Sequence, residues 1–170
     1  GNDQSKDEVL RREMRQFEGS WFSQALLDRS KIRIERLGFF DNVNIETEPV
    51  DGSEDQIDIT VSVEETPSGN FQVGLGYSQI QGLIASVSVE QNNFLGSGRQ
   101  VGFSVSRSSI LSQIGVNYTN PYYTDDGVSR GFFLRYTEFD QGDANISSFS
   151  TSQAAGGVSF GFPLTELDFL

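Results

Sequence analysis

The stretch "GNFQVGLGYSQIQGLIASVSVEQNNFLGSGRQVGFSVS", residues 69–106, decides the fold of the larger part of this chain. Its first segment has apolar residues at every second position and glycine or polar residues between them; the apolar residues are Phe71, Val73, Leu75 and Tyr77. This period of two is typical of a β-strand with one apolar face. The segment "NFLGSG" interrupts the alternation and predicts a hairpin turn, because glycine adopts positive φ without steric cost.

The same alternation continues beyond this stretch. It predicts six strands, centred on residues 71–77, 83–89, 101–105, 114–118, 132–136 and 158–162. Their second face consists mostly of Gly, Ser, Asn and Gln, whereas a soluble sandwich usually presents more Lys and Glu to water. Strands with lipid on one side and a polar lumen on the other fit this composition better. The sequence therefore favours antiparallel strands of a membrane β-barrel over a soluble sandwich.

The first 66 residues follow a different pattern, in the order helix, helix, strand, strand. Ser5 and Glu8 have the spacing of a capping box, and apolar residues at helical spacing continue the predicted first helix until Gly19; they are Val9, Leu10, Met14 and Phe17. A second helix is predicted from about Ser23 to Gly38. Two alternating segments, residues 43–47 and 57–63, then predict an antiparallel hairpin. Two helices on a small sheet make an α+β module.

Charge and composition exclude several classes of function. The chain has 24 acidic and 12 basic residues, a net charge of −12, which argues against a nucleic-acid partner. Residues 1–66 hold 16 of the acidic and 8 of the basic residues, so the strand-rich part carries few charges. Histidine and cysteine are absent, which removes thiolate zinc sites and Ser-His-Asp triads. We expect no enzymatic activity, no cofactor and no metal site.

Glycine pairs in the strand-rich part do not form a phosphate-binding loop. A phosphate loop leads into a helix N-terminus or carries a lysine, whereas "LGSG" leads into the alternating segment "RQVGFSVS". Aromatic residues instead mark every second connection, in "NNFLGSG", "NPYYTDDG" and "GFPLTELDF". If the strands cross a bilayer, these turns lie on one side and predict an interfacial aromatic girdle.

Four segments together resemble the BamA family of outer-membrane protein assembly factors of Gram-negative bacteria. They are "GNDQSKDEVLRREMRQFEGSW", "RLGFFDNV", "QNNFLGSGRQ" and "TNPYYTDDG", and they match in order and spacing. The resemblance implies that residues 1–66 are a periplasmic POTRA domain, the one next to the barrel, without its first strand. Residues 67–70 would be a linker, and residues 71–170 would be the first six of sixteen barrel strands in the outer membrane. The expected fold is therefore an α+β POTRA-like module followed by an incomplete antiparallel transmembrane β-barrel.

The resemblance also implies a function. Members of the family fold and insert β-barrel proteins without ATP, by adding a client strand at a lateral gate next to the first barrel strand. The predicted client-pairing edge consists of Asn70, Phe71, Gln72, Val73, Gly74, Leu75, Gly76 and Tyr77. Strand glycines invite close backbone approach, although they also serve as small lumen-facing residues in any tight barrel. A protein translocation or secretion channel of the same superfamily is the alternative function.

Two charged residues of the first module are predicted to contact a partner. By resemblance, Arg11 and Glu18 are candidates for ion pairs with the accessory lipoprotein BamD. The alternative is that they belong to a charged surface that contacts only solvent. Other assembly-machinery lipoproteins, unfolded outer-membrane barrel clients and the lipid bilayer are the remaining expected partners.

Overall fold

The computed structural model describes residues 4–53, 55–140 and 149–164. Within them the chain forms two α-helices and eight β-strands: α1 (Asp7–Arg11), α2 (Gln24–Arg36), β1 (Phe40–Pro49), β2 (Ile57–Glu65), β3 (Gly69–Ser78), β4 (Gly82–Phe94), β5 (Arg99–Arg107), β6 (Leu111–Asn120), β7 (Ser129–Asp140) and β8 (Ser150–Gly161). These elements belong to two compact units. The first is Gly1–Ser68 with Leu95–Gly98, and the second is Gly69–Phe94 with Arg99–Leu170.

The first unit is a two-stranded antiparallel sheet with the helices. β1 and β2 pair antiparallel, with a register shift between Phe40 and Asn42, and Val43 lies opposite Val63. Both valine side chains are buried. α2 packs on β1 and ends before Gly38, which has φ +74° and so adopts a conformation that favours glycine. The predicted second helix and hairpin are confirmed. Their core is formed by Val9, Leu10, Ile34, Phe39, Phe40, Val43 and Val63.

The first helix is shorter than the sequence predicts. α1 ends at Arg11, and the prediction that it continues to Gly19 with Phe17 on its buried face is wrong. The Arg15 N–H donates to the Ser30 hydroxyl of α2 at 2.8 Å instead of to a carbonyl one turn earlier. Ser30 is fully buried, and its hydroxyl donates a hydrogen bond to the Leu26 carbonyl at 2.7 Å. The Ser30 side chain of the second helix therefore accepts the Arg15 N–H, which in a longer first helix would bond to a backbone carbonyl.

The predicted capping box is also wrong. The N-cap of α1 is Lys6, and no side chain caps the helix there. Ser5 is buried, and its N–H donates to Glu65 Oε1 at 2.6 Å, while the Gln4 N–H donates to Glu65 Oε2 at 2.8 Å. A carboxylate at the end of β2 thus holds the segment that leads into α1.

The second unit is one antiparallel sheet of six strands in the order β3-β4-β5-β6-β7-β8. The six predicted strands are confirmed. β3 begins at Gly69, so the last two residues of the predicted linker lie within the strand. The sheet is open, because within the described residues β3 pairs with β4 alone and β8 with β7 alone. This agrees with an incomplete barrel.

The predicted turn at "LGSG" is confirmed as the connection between β4 and β5. Leu95, Gly96 and Gly98 all have positive φ, at 51°, 68° and 67°. The Gly96 carbonyl accepts the Lys6 N–H at 2.8 Å within the first unit. In the predicted aromatic segment 161–169, residues 165–169 lie outside the described residues.

Neither α1 nor α2, the helices of the described residues, is long and apolar enough to span a membrane.

Candidate functional site

The pairing register gives the six-stranded sheet two chemically distinct faces. Residues directly opposite in antiparallel strands share a face. One row across all six strands is Val73, Val87, Val105, Ile114, Tyr136 and Ala154. The neighbouring row on the other face is Gly74, Ser86, Ser106, Gln113, Thr137 and Gln153. The first is termed the apolar face and the second the polar face.

Among the described residues of its unit, no further element covers the apolar face, and β3 is its most exposed strand. Val87 and Val89 of β4 are 38% and 44% exposed. The four apolar side chains of β3 are 60–78% exposed; they are Phe71, Val73, Leu75 and Tyr77. A continuous uncovered apolar surface of this kind marks a contact with lipid or with another chain.

The predicted client-pairing residues, Asn70 to Tyr77, all lie in β3, at one edge of the sheet. An antiparallel strand forms hydrogen bonds to both sides, and β3 uses one side for β4 over the full length from Gly69 to Ser78. Its other side presents main-chain N–H and C=O groups to which no described strand pairs. The structure therefore places the predicted residues where another strand can be added.

The two glycines in the middle of β3 differ in their surroundings. A Cβ at Gly74 would lie 2.5 Å from the Ser86 hydroxyl of β4, so that hydroxyl would have to rotate away. A Cβ at Gly76 would meet nothing within 4 Å. Among the described residues, the space for a side chain is therefore narrower at Gly74 than at Gly76.

Arg11 and Glu18 are brought together on the surface of the first unit. Arg11 Nη1 donates to Glu18 Oε1 at 2.8 Å, and the two side chains are 70% and 89% exposed. An ion pair so open to water contributes about 0–1 kcal/mol to stability. Both groups are consequently available to an incoming charged partner at little cost.

Two exposed aromatic residues close to Glu18 in sequence were not predicted as part of a site. Phe17 is 68% exposed and Trp21 is 95% exposed. Helical periodicity had assigned Phe17 to the core, but the tryptophan directly after "FEGS" was a signal of an exposed aromatic surface. We term Arg11, Phe17, Glu18 and Trp21 the loop surface.

A buried glutamine gives the loop its shape. Gln16 Nε2 donates to the Ser20 hydroxyl at 2.8 Å and to the Trp21 carbonyl at 3.0 Å, and its Oε1 accepts the Ser23 N–H at 3.0 Å. A fully used side-chain amide of this kind fixes the backbone around it. The exposed aromatics are therefore displayed by an ordered segment.

A buried ion pair also connects the start of this loop to α2. Arg33 of α2 donates to Glu13 Oε2 from Nη2 at 2.8 Å and from Nε at 3.0 Å. The Glu13 side chain is 4% exposed and that of Arg33 is 17% exposed. The pair ties the residues just after α1 to the second helix.

Two family models match the chain. "POTRA: Surface antigen variable number repeat" matches residues 1–66, and "Omp85 superfamily domain" matches residues 93–169. Together they account for the α+β module and for most of the six-stranded sheet.

Similar proteins share these two parts. The outer membrane protein assembly factor BamA of Neisseria meningitidis serogroup B is 36% identical over 99% of this chain, which spans 21% of that protein. The chloroplastic outer envelope protein 80 of Oryza sativa is 28% identical over 72% of this chain, which spans 19% of it. The crystal structure of BamA from Haemophilus ducreyi lacking POTRA domains 1–3 has a TM-score of 0.85 and 36% identity over 98% of this chain and 31% of that structure. The chain thus spans about a fifth of these curated relatives.

Proposed function

This chain belongs to the BamA family of the Omp85 superfamily, and on that premise we propose that it folds and inserts β-barrel proteins by strand addition at the free edge of β3. Residues 1–66 form its periplasmic POTRA part, and the six-stranded sheet is part of its outer-membrane barrel. The first strand of that barrel receives the terminal strand of a client at a lateral gate. No ATP is consumed, because the pairing itself supplies the driving force.

The observation that carries the proposal is the position of β3, which is an edge strand of the described sheet and follows directly after the POTRA residues 1–66. Strand addition gains its affinity from main-chain hydrogen bonds, so it accepts clients of varied sequence. Hydrocarbon does not tolerate unpaired N–H and C=O groups, so an edge within a bilayer recruits a pairing strand. The apolar side chains of β3 continue the lipid-facing surface, and an added strand would extend that surface.

Site-directed crosslinking tests the proposal, since the described sequence has no cysteine of its own. Single cysteines are placed at each position from Asn70 to Tyr77 of the complete protein, and one is placed in the terminal strand of a stalled client. Strand addition predicts disulfides in one register along β3. Positions 114–118 of β6 are the matched control, because β6 is paired on both sides and should give none.

The same experiment distinguishes strand addition from the alternative function, a translocation channel. A translocation channel would pass its cargo through the lumen, so crosslinks would form from the polar-face residues Gln72, Gly74 and Gly76 and would show no fixed register. That outcome, or the absence of crosslinks from β3, would contradict strand addition.

We also propose that the loop surface binds an accessory lipoprotein, which the resemblance identifies as BamD. The exposed Arg11–Glu18 pair supplies charges that a partner can engage, and the exposed Trp21, three residues after Glu18, supplies a large apolar anchor. Binding energy at interfaces concentrates in such aromatic residues, with truncation costing about 2 kcal/mol or more. Trp21→Ala should therefore weaken lipoprotein binding roughly 30-fold.

Charge reversal gives a sharper test of the ion pair. Glu18→Arg should weaken binding by adding repulsion, both to Arg11 and to a basic group of the partner. The exchange Arg11→Glu with Glu18→Arg restores the pair within the chain but inverts the charges presented outside. If that exchange restores binding, the ion pair acts only within the first unit. If Trp21→Ala leaves binding unchanged, the loop surface is not part of the interface.

A further inference from the structure

Two arginines lie on the apolar face of the sheet, at the strand ends that adjoin the periplasm. Arg130 of β7 is opposite Asn120 of β6, and the β5–β6 register, with Gln100 opposite Thr119, places Arg99 opposite Asn120 one residue further on. The three residues therefore form one row on the face that also carries Phe103 and Val105. The row is termed the arginine row.

The chain direction shows which membrane surface this row meets. β3 follows directly from the periplasmic residues 1–66, so it starts on the periplasmic side. Each antiparallel strand reverses the direction, which brings the β4–β5 and β6–β7 connections back to that side. Arg99 is the first residue of β5, and Asn120 is the last residue of β6. The arginine row thus lies at the level where lipid tails give way to periplasmic headgroups.

Arg130 is held in place by aromatic rings. Its guanidinium carbon Cζ lies 3.7 Å from the centroid of the Tyr123 ring and 5.0 Å from that of Phe132. Tyr123 in turn packs edge-on against Phe160, with centroids 6.3 Å apart. Cation–π contacts of this geometry orient a guanidinium without neutralising its charge. The group is preorganised to receive an anion.

The charges of the arginine row are unmatched within the part of the chain that the structure describes. Neither Arg99 nor Arg130 forms an ion pair there, although Asp125 and Asp126 lie in the adjoining turn. Arg130 Nε is buried without a hydrogen-bond partner among the described residues, and the residue as a whole is half-buried. Arg99 is exposed. An arginine on a lipid-facing surface is tolerated near the interface and costs about 2–4 kcal/mol at the midplane.

We propose that the arginine row binds the phosphate of an anionic phospholipid in the periplasmic leaflet. Two strand spacings separate Arg99 from Arg130, or about 10 Å between Cα atoms, which lets two long side chains converge on one phosphate. Arginine is suited to phosphate because its planar fork donates two parallel hydrogen bonds. The Asn120 side-chain oxygen accepts the Tyr122 N–H at 3.2 Å, so the amide nitrogen is the remaining polar group of that side chain and a further donor. This site requires the outer-membrane barrel but not the assembly activity.

Native mass spectrometry of the complete protein in an uncharged detergent tests the site. The probes are phosphatidylglycerol, phosphatidylethanolamine and inorganic phosphate. Each arginine near an anionic lipid surface contributes about fivefold in affinity, so Arg99→Gln and Arg130→Gln should each weaken phosphatidylglycerol binding about fivefold, and the double variant roughly 25-fold. Resistance to SDS before heating confirms that each variant is folded, and the single variants carry the test if the double variant does not fold.

Two matched controls lie on the same strands. Arg107 shares β5 and the apolar face with Arg99 but lies at the opposite end, and Arg135 shares β7 with Arg130 but lies on the polar face. Glutamine at either control position should leave phosphatidylglycerol binding unchanged. Equal loss from Arg107→Gln, no loss from the arginine-row variants, or equal binding of phosphatidylethanolamine would overturn the proposal. Displacement of the lipid by millimolar inorganic phosphate would identify a free-phosphate site instead.

Discussion

Replacing Val73 by arginine tests which face of the sheet meets lipid. Val73 is the fifth of ten residues in β3, and its side chain is 60% exposed on the apolar face. Ten residues extend roughly 33 Å, which at a barrel tilt of about 40° spans the ~25 Å apolar band of an outer-membrane barrel. Val73 therefore lies close to the middle of the bilayer, where an arginine is most costly.

The neighbouring residue Gln72 is the matched control, because it differs by one position and lies on the opposite face. Arginine at the midplane of a lipid-facing surface costs about 2–4 kcal/mol, whereas a lumen position remains in contact with water. The free energy of unfolding should thus fall by about 2–4 kcal/mol for Val73→Arg and by less than ~1 kcal/mol for Gln72→Arg.

The assay is urea unfolding of the complete protein in phospholipid vesicles. The folded fraction is read from the SDS gel mobility of unheated samples. Equal destabilisation by the two substitutions would show that the two faces do not differ in their contact with lipid. A larger loss for Gln72→Arg would mean that the two faces are assigned in reverse, and either result would refute the reasoning.

Three further predictions concern single residues. Glu13→Gln removes the carboxylate charge opposite the largely buried Arg33 guanidinium and should destabilise the first unit by about 3 kcal/mol, measured as lost protection in hydrogen exchange. Glu18→Gln in the exposed ion pair should cost less than ~1 kcal/mol. Gly96→Ala would drive a Cβ into a backbone carbonyl and should lower the urea midpoint more than Gly52→Ala, which shares the positive φ but has open space. Gly76→Ala should leave stability unchanged or raise it by about 0.5–1 kcal/mol while reducing client crosslinks to β3 about two- to fivefold; undiminished crosslinking would separate this glycine from client pairing.

The strands were predictable because their signal is local. A residue in β3 or β7 faces either lipid or a polar lumen, and this choice alternates with every step along the chain. The pattern therefore appears in any short window of sequence. The turn at Gly96 was predictable for the same reason, since its positive φ depends on the residue itself.

The end of α1 could not be predicted because its cause is distant in sequence. The Arg15 N–H bonds to Ser30, and the segment before α1 is held by Glu65, some 60 residues away. Local spacing of apolar residues carries no information about either bond. The exposure of Phe17 follows directly, because the helix that would have buried it ends at Arg11.

The glycines of β3 argue for a role of this edge beyond packing. Gly74 lies against Ser86, whose hydroxyl would have to rotate to admit a larger residue. Gly76 has no such neighbour, yet glycine in a strand weakens it by about 0.5–1 kcal/mol relative to alanine. A barrel selected only for stability would fill this position. A strand that must release one partner and accept another gains from being held weakly, since the cost of opening is lower. The proposed exchange of strands at this edge would therefore account for glycine at position 76.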